Sequence, residues 1–394
     1  MPVNYQQIQQ QIREKANNAP ARVEQLRERT EKARELLLRH AEDPQYLQEK
    51  VAQAAIHDKG LRCAFPLNEN LDVSQAVQPP ESYPVLLAAD GSQINPNRHD
   101  AVEFGLINIG IIRIQPGQAL TPIEWTSSEL ILDDAPDGRA EPLTEEYVAL
   151  LRDYNERQEL IKLAAMEPQP VLTLTDGPLE LFREPKGDKR FDDQFEKYLT
   201  VLEELASINA VTAGYVDKPG SDLVVRMLEL TLYTDENLQR AGRERKLGGV
   251  RDIVLFSKQL APGERTGIFA IQSSSAEKFR QRLSGQIALH FFYLNVGLGD
   301  NSHLVRVEIP AWVSRQPEFV DLLQATLLQQ CKQLGLRPYP YALHRAHEVA
   351  LVSFQEKQQV EWMLAVELQR KGIAVGQKSY KQAAKDLPGR KGYK

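Results

Sequence analysis

Five apolar residues, Val85-Leu86-Leu87-Ala88-Ala89, run directly into Asp90-Gly91-Ser92. A run of that length reads as a buried strand, and the Asp-Gly-Ser that follows reads as the turn that ends it, leaving the Asp carboxylate at the strand's exit. The pattern returns once, as Val171-Leu172-Thr173-Leu174-Thr175 followed by Asp176-Gly177-Pro178-Leu179. Either acid alone is most simply a residue that shapes a strand exit. Two strands that each deliver an Asp ahead of a glycine can aim two carboxylates at one hard cation, because Mg²⁺ and Mn²⁺ prefer oxygen ligands. The expected fold is therefore α/β: a mixed sheet of five or six strands flanked by helices, with 85–89 central and Asp90 and Asp176 on neighbouring strands.

A chain of 394 residues with 42% hydrophobic content can bury a sizeable core. No stretch approaches the roughly 18 apolar residues of a membrane span, and the first residues lack the apolar core of a signal peptide. Cys63 and Cys331 are the only cysteines, too few for a disulfide framework or a thiolate zinc site. These features point to the cytoplasm. The net charge of −6 is unevenly placed: residues 370–394 hold eight basic side chains against one acid, a local +7 that leaves −13 elsewhere. Local patches rather than the total decide phosphate binding, and the tail's Tyr380 and Tyr393 are able to stack on bases.

Residues 1–58 carry Ile8, Ile12, Val23, Leu26, Ala33, Leu37 and Leu38 near helical spacing and read as two or three amphipathic helices. Residues 60–82 look like a polar, proline-containing linker, so that 1–82 forms an arm, 83–369 the body and 370–394 a basic tail. Within the body, 101–114 reads as a hairpin or two adjoining strands with Gly105 and Gly110, and 124–134 as a further strand. A helix is expected over 142–166. Alternation of strand and helix through 171–233 predicts parallel pairing in mid-sheet. Strands follow at 287–294 and 303–309, then helices at 317–334 and 342–370.

The helix ahead of the second acidic strand carries Glu156 and Glu159, three apart and close to one face, and either would complete a carboxylate set with Asp90 and Asp176. Near the C-terminus, Tyr339-Pro340-Tyr341-Ala342-Leu343-His344-Arg345-Ala346-His347 places a proline where a helix opens and two histidines three apart. The His-Glu-x-x-His zinc pattern is absent, so a single histidine beside carboxylates fits better as a ligand or an acid/base group. Carboxylates and a histidine on a mixed sheet suggest metal-assisted phosphodiester hydrolysis. Lys218, Arg265 and Arg306 are candidate phosphate contacts lining a positive channel through an acidic body. Trp312, Phe291 and Phe292 read as core.

Four of these segments together, Ala89-Asp90-Gly91-Ser92, Thr175-Asp176-Gly177-Pro178-Leu179, Gly214-Tyr215-Val216-Asp217-Lys218-Pro219 and the 339–347 stretch, resemble in order and motif the NurA family of DNA-repair nucleases. The resemblance spans roughly residues 83–365. It implies a ribonuclease-H-like fold, a ring-shaped homodimer, Mn²⁺-dependent 5′-to-3′ exonuclease and single-strand endonuclease activity, and partnership with the HerA ATPase in end resection; Mg²⁺ is the alternative to Mn²⁺. Carried over by motif, Asp90 and Asp176 are metal ligands. Glu159 best matches the family's glutamate, with Glu156 as the alternative. His347 rather than His344 matches its histidine, and Tyr339 its tyrosine. A competing reading from another class is a catalytically silent dimeric scaffold that docks a DNA motor protein; buried strand ends that retain two acids argue against it. A phosphate-loop ATPase is disfavoured, because no Gly-x-x-x-x-Gly-Lys stretch is present.

Overall fold

The computed structural model describes residues 3–17, 19–97, 102–132, 143–181, 189–299 and 301–372. The strands are β1 (Cys63–Pro66), β2 (Val85–Ile94), β3 (Gly105–Ile114), β4 (Ile123–Ile131), β5 (Val171–Asp176), β6 (Val211–Val216), β7 (Phe269–Gln272), β8 (Leu289–Asn295) and β9 (Leu304–Pro310). The helices are α1 (Tyr5–Ala16), α2 (Ala19–Arg39), α3 (Pro44–His57), α4 (Glu145–Ala164), α5 (Lys189–Ser207), α6 (Leu223–Leu230), α7 (Asp252–Phe256), α8 (Ser274–Arg280), α9 (Ala311–Ser314), α10 (Pro317–Lys332), α11 (Tyr341–Ala350) and α12 (Phe354–Arg370). Among the described residues the strands order as β1-β7-β8-β9-β6-β5-β2-β3-β4, nine rather than the five or six expected. The run β4-β3-β2-β5-β6 has the strand order of a ribonuclease-H-like sheet. No helix among the described residues is long and apolar enough to cross a membrane.

The chain divides into two compact units. One contains Glu81–Asp176, Leu181–Ala213 and Tyr339–Lys394. Here β2 pairs antiparallel with β3 and β3 with β4, while β2 and β5 run parallel from Val85 opposite Val171 to Ala89 opposite Thr175. Strands buried on both faces carry unbroken apolar runs, as in Val85, Leu86, Leu87, Ala88 and Ala89. Helix α5 buries Phe191, Phe195, Tyr198, Leu199, Leu202 and Leu205, a stripe of helical period. The expected long helix over 342–370 is two, because Ser353 and Glu356 form a reciprocal capping box that opens α12.

The other unit contains Met1–Pro80, Gly177–Glu180 and Gly214–Pro338. Its strands β8 and β9 are buried at every position. The N-terminal helices expected as a separate arm belong to this unit: α2 buries Ala33, Leu36 and Leu37, α3 buries Leu47, Val51 and Ala54, and Arg29 donates to the Gly248 carbonyl at 2.8 Å. Of these three helices only α1 buries no residue. The expected linker holds β1, whose Cys63 and Ala64 are fully buried in antiparallel pairing with β7.

Asp252 is the most consequential buried acid of this unit. Its carboxylate accepts from the Val224 and Val225 amides that open α6, and from the Tyr293 hydroxyl at 2.7 Å. Burial raises its pKa from the usual carboxylate range to about 6, against the pull of those three donors. A folded pKa above the unfolded value favours the protonated native state, so this contribution is full below pH ~4 and is lost as pH rises through about 6. The unfolding free energy of the native sequence minus that of Asp252→Asn should therefore fall by roughly 3 kcal/mol between pH 4 and 7.5. Urea titrations across that range measure it, and a pH-independent difference would contradict the assignment.

Candidate active site

The Asp-Gly-Ser read as a turn is extended strand. β2 continues through Asp90, Gly91 and Ser92 to Ile94, because antiparallel pairing with β3 persists from Asp90 opposite Gly110 to Ile94 opposite Leu106. Parallel pairing with β5 stops at Ala89, so Asp90 is the first residue of β2 not paired with β5. Asp176 directly follows Thr175, the partner of Ala89, on a strand about 5 Å away by sheet spacing, and its side chain is exposed. Both acids thus emerge at one end of the parallel pair.

The expected hairpin around Gly105 and Gly110 is one strand, and Gly110 has a different use. A Cβ at that position would lie 2.4 Å from the Ala346 carbonyl oxygen and 2.6 Å from the Ala350 amide. The bare backbone lets α11 lie directly on β3. Pro340 caps the start of this helix, and Ala342, Leu343, Ala346 and Ala350 form its buried face. Its far end is held where the Ser92 hydroxyl at 2.5 Å and the Asn108 amide at 2.8 Å both donate to the Ala350 carbonyl. Arg345 reaches Glu124 of β4 at 2.6 Å.

Seated in this way, α11 brings His347 Nδ1 to 2.7 Å from Asp90 Oδ2, while Asp90 Oδ1 accepts from the Gly91 amide at 2.8 Å. An ionised carboxylate only accepts, so Nδ1 is the donor and the proton-accepting position is Nε2. His347 is 56% exposed. His344 instead lies 3.7 Å from Glu348 on the same helix. Tyr339 is half-buried, just before the cap of α11.

From α4 the structure brings Glu156, not Glu159, to the site. Glu156 is 3% exposed, and a Cβ on Gly91 would lie 2.9 Å from its Oε1. Glu159 turns to Lys162 at 2.7 Å and to the Ser127 hydroxyl of β4 at 3.4 Å. Burial, and then the neighbouring charge of Asp153, push the Glu156 carboxyl well above the usual glutamate range. Arg157 and Arg152 oppose the rise, and Asp90 adds to it. Arg152 Nε lies 3.6 Å from Glu156 Oε1 and Arg157 Nη1 lies 3.8 Å from Glu156 Oε2. Arg157 also donates to the Thr175 hydroxyl at 3.1 Å, beside Asp176, and stacks over Tyr198. Arg152 and Arg157 were not singled out from sequence; the (i, i+4) spacing of Arg152 to Glu156 was the available signal.

Of the basic candidates, only Lys218 is exposed. Arg265 is 3% exposed and binds Gln75 Oε1 at 2.6 Å and the Thr266 carbonyl at 2.8 Å. Arg306 is 4% exposed and joins Glu308 at 2.6 Å and the Ser221 hydroxyl at 2.7 Å. Buried guanidiniums consumed by internal acceptors hold their own unit together and cannot line a channel, which corrects the expectation for both. Most of the basic tail, 373–394, lies outside the described residues.

A hard divalent cation of the Mg²⁺ type is held by one or two carboxylates plus water and substrate phosphate more often than by a full protein cage. Asp90 and Glu156, oxygen donors crowded about Gly91, meet that requirement, with Asp176 at the matching position on β5. Among the described residues, no three His, Cys, Asp or Glu side chains converge as a ready-made cage. The donor set fits a cation shared with a phosphate, not a closed structural site.

Strand order, paired acids at the open end of the parallel strands and an imidazole delivered by a C-terminal helix define an acid-cluster α/β protein of the ribonuclease-H-like class. The NurA domain matches residues 84–352, well over half of the chain, which belongs to that family. Among solved structures the chain is similar to the NurA nuclease from Sulfolobus solfataricus, at 13% identity and a TM-score of 0.48 over 76% of this chain and 88% of that one. A second similarity is to LC9-RNase H1, a type 1 RNase H with the type 2 active-site motif, at 13% identity and a TM-score of 0.22 over 52% and 85% of the two chains. No curated protein matches.

The Gly110 contact fixes where α11 sits, so Gly110→Ala should cost about 1–3 kcal/mol of stability by forcing helix and strand apart. It should also weaken the Asp90–His347 contact, which NMR of the imidazole nitrogens reads directly. Native stability together with an unchanged His347 signal would show that the strand–helix approach is not the seat of this geometry.

Proposed function

We propose that this chain is a divalent-metal-dependent DNA nuclease that hydrolyses phosphodiester bonds. The observation that carries the reading is the contact of His347 Nδ1 with Asp90 at 2.7 Å, beside buried Glu156, in a NurA domain. Asp90 fixes the imidazole through Nδ1, which leaves Nε2 to take or give a proton at the reacting oxygen. A bound Mn²⁺ or Mg²⁺ supplies Lewis-acid charge where negative charge builds on the phosphate. Asp90, Glu156 and Asp176 are the residues that would hold it, and Tyr339 places a hydroxyl-bearing side chain ahead of α11. Lys218 is the exposed basic candidate for a backbone phosphate.

The finer activity belongs to the same proposal: 5′-to-3′ exonuclease and single-strand endonuclease cleavage in end resection and double-strand break repair, by a homodimer working with a HerA-type hexameric ATPase. The family resemblance supports it. A reducing, cytoplasmic setting is supported by Cys63 and Cys331, both buried and free.

Cleavage of end-labelled single-stranded and duplex DNA with Mn²⁺, Mg²⁺ or EDTA tests the reading, with Asp90→Asn and Asp176→Asn expected to abolish the metal-dependent product. A folded protein that binds DNA and cleaves nothing with either metal would leave the silent scaffold in its place. Within the active enzyme, Glu156→Gln should lower the rate by about a hundredfold or more while Glu159→Gln changes it little, since Glu159 is turned toward Lys162. His347→Ala should likewise be far more damaging than His344→Ala. The reverse order in either pair would reassign that position.

A further inference from the structure

The acids of the proposed site already face a cation supplied by the chain. Arg152 lies across Gly91, where an added Cβ would stand 2.5 Å from its Cγ and 2.9 Å from its Cδ. The glycine is therefore what admits the arginine stem to the floor between β2 and α4. Its guanidinium Nε lies 3.6 Å from Glu156 Oε1, and Nη2 lies 2.9 Å from Asp153 Oδ1. The Asp90 carboxylate stands at the same glycine, its Oδ1 accepting from the Gly91 amide at 2.8 Å. Helix stability alone does not explain the pair, because a basic residue four positions ahead of an acid is the weaker of the two orientations on a helix. The side chain is 33% exposed, so solvent already reaches it.

Resting on the metal-dependent reading above, we propose that Arg152 is the internal counter-cation of the acid cluster and that it competes with the divalent metal for Glu156 and Asp90. A guanidinium 3.6 Å from Glu156 Oε1 repels a cation arriving at that oxygen, so metal entry there is favoured when the guanidinium swings out over Gly91. Arg152 is thus a positioning residue that sets the metal concentration at which the site fills. It keeps the carboxylates gathered until the metal arrives, and its stem marks the side of the site on which the charge is exchanged.

The test is Mn²⁺ titration of the full chain without DNA, with free Mn²⁺ read by electron paramagnetic resonance at pH 8. Arg152→Gln and Arg152→Met remove the charge while filling the space over Gly91, and each should bind Mn²⁺ about tenfold more tightly than the native sequence. Arg152→Lys keeps the charge and should stay close to native affinity. The Mn²⁺ concentration for half-maximal cleavage should fall by the same factor in the two uncharged variants. Circular dichroism melting establishes which variants are folded. Native or weaker affinity in whichever uncharged variant folds, or tighter binding by Arg152→Lys as well, would overturn the proposal; loss of the fold in both uncharged variants would also count against it, since it would make Arg152 a structural cation and not an exchangeable one. Asp90→Asn separates this outcome from failure of the underlying reading. If Asp90→Asn binds Mn²⁺ as the native chain does, the acid-cluster site itself is misassigned. If it loses the metal while Arg152→Gln is unchanged, only the counter-cation role falls.

Discussion

Strand β2 is paired on both sides as far as Ala89 and on one side from Asp90 to Ile94. Everything at the site follows from that change. From Val85 to Ala89 the side chains are also buried on both faces, and the strand there is wholly apolar, since an unpaired polar side chain would go unsolvated. Where β5 ends, a carboxylate can point out of the sheet and still sit on rigid backbone, held by the continuing ladder to β3. A turn at the same place, which the Asp-Gly-Ser composition suggests, would have left Asp90 on a loop. The strand instead carries it, and precise placement of a reacting group is better achieved on such an element.

The second requirement is electrostatic. Glu156 is nearly fully buried and close to two other acids, Asp153 and Asp90, an arrangement that disfavours its charge. Arg152 and Arg157 flank it on the same helix, and Arg157 is itself anchored on Thr175 and Tyr198. Asp90 meets an imidazole that is able to carry a charge. The cluster is thus compensated from within on two sides, so its charge is redistributed rather than newly created when a cation or a phosphate enters.

Much of this was readable from the chain. The two acids that follow apolar runs, the neighbouring strands that carry them and the histidine-bearing helix behind Pro340 rest on local patterns, apolar run lengths and proline's missing donor, which operate over a few residues; the turn expected at Asp90 does not form, because pairing with β3 continues past it. What was not readable depends on distant partners. Glu156 and Glu159 are nearly equivalent by helical spacing, and only the face that α4 turns toward β2 separates them. Gly110 looks like a hairpin glycine until α11, more than two hundred residues later, is seen lying on it. Arg265 and Arg306 look like phosphate contacts because a sequence does not show that Gln75 and Glu308 wait for them in the interior. Arg152 shows the converse: on a charged helix it is one of many basic side chains, and only the fold reveals that its stem fills the space left by the absent side chain at position 91.

The double anchorage of the Ala350 carbonyl by Ser92 and Asn108 has a consequence for disorder in the resting molecule. The final turn of a helix usually frays, since its carbonyls have no partner within the helix. Here the last turn is stapled to two strands and cannot unwind without giving up two hydrogen bonds. An imidazole on that turn hangs from backbone that is already fixed, so the ordering cost of placing that backbone is met during folding.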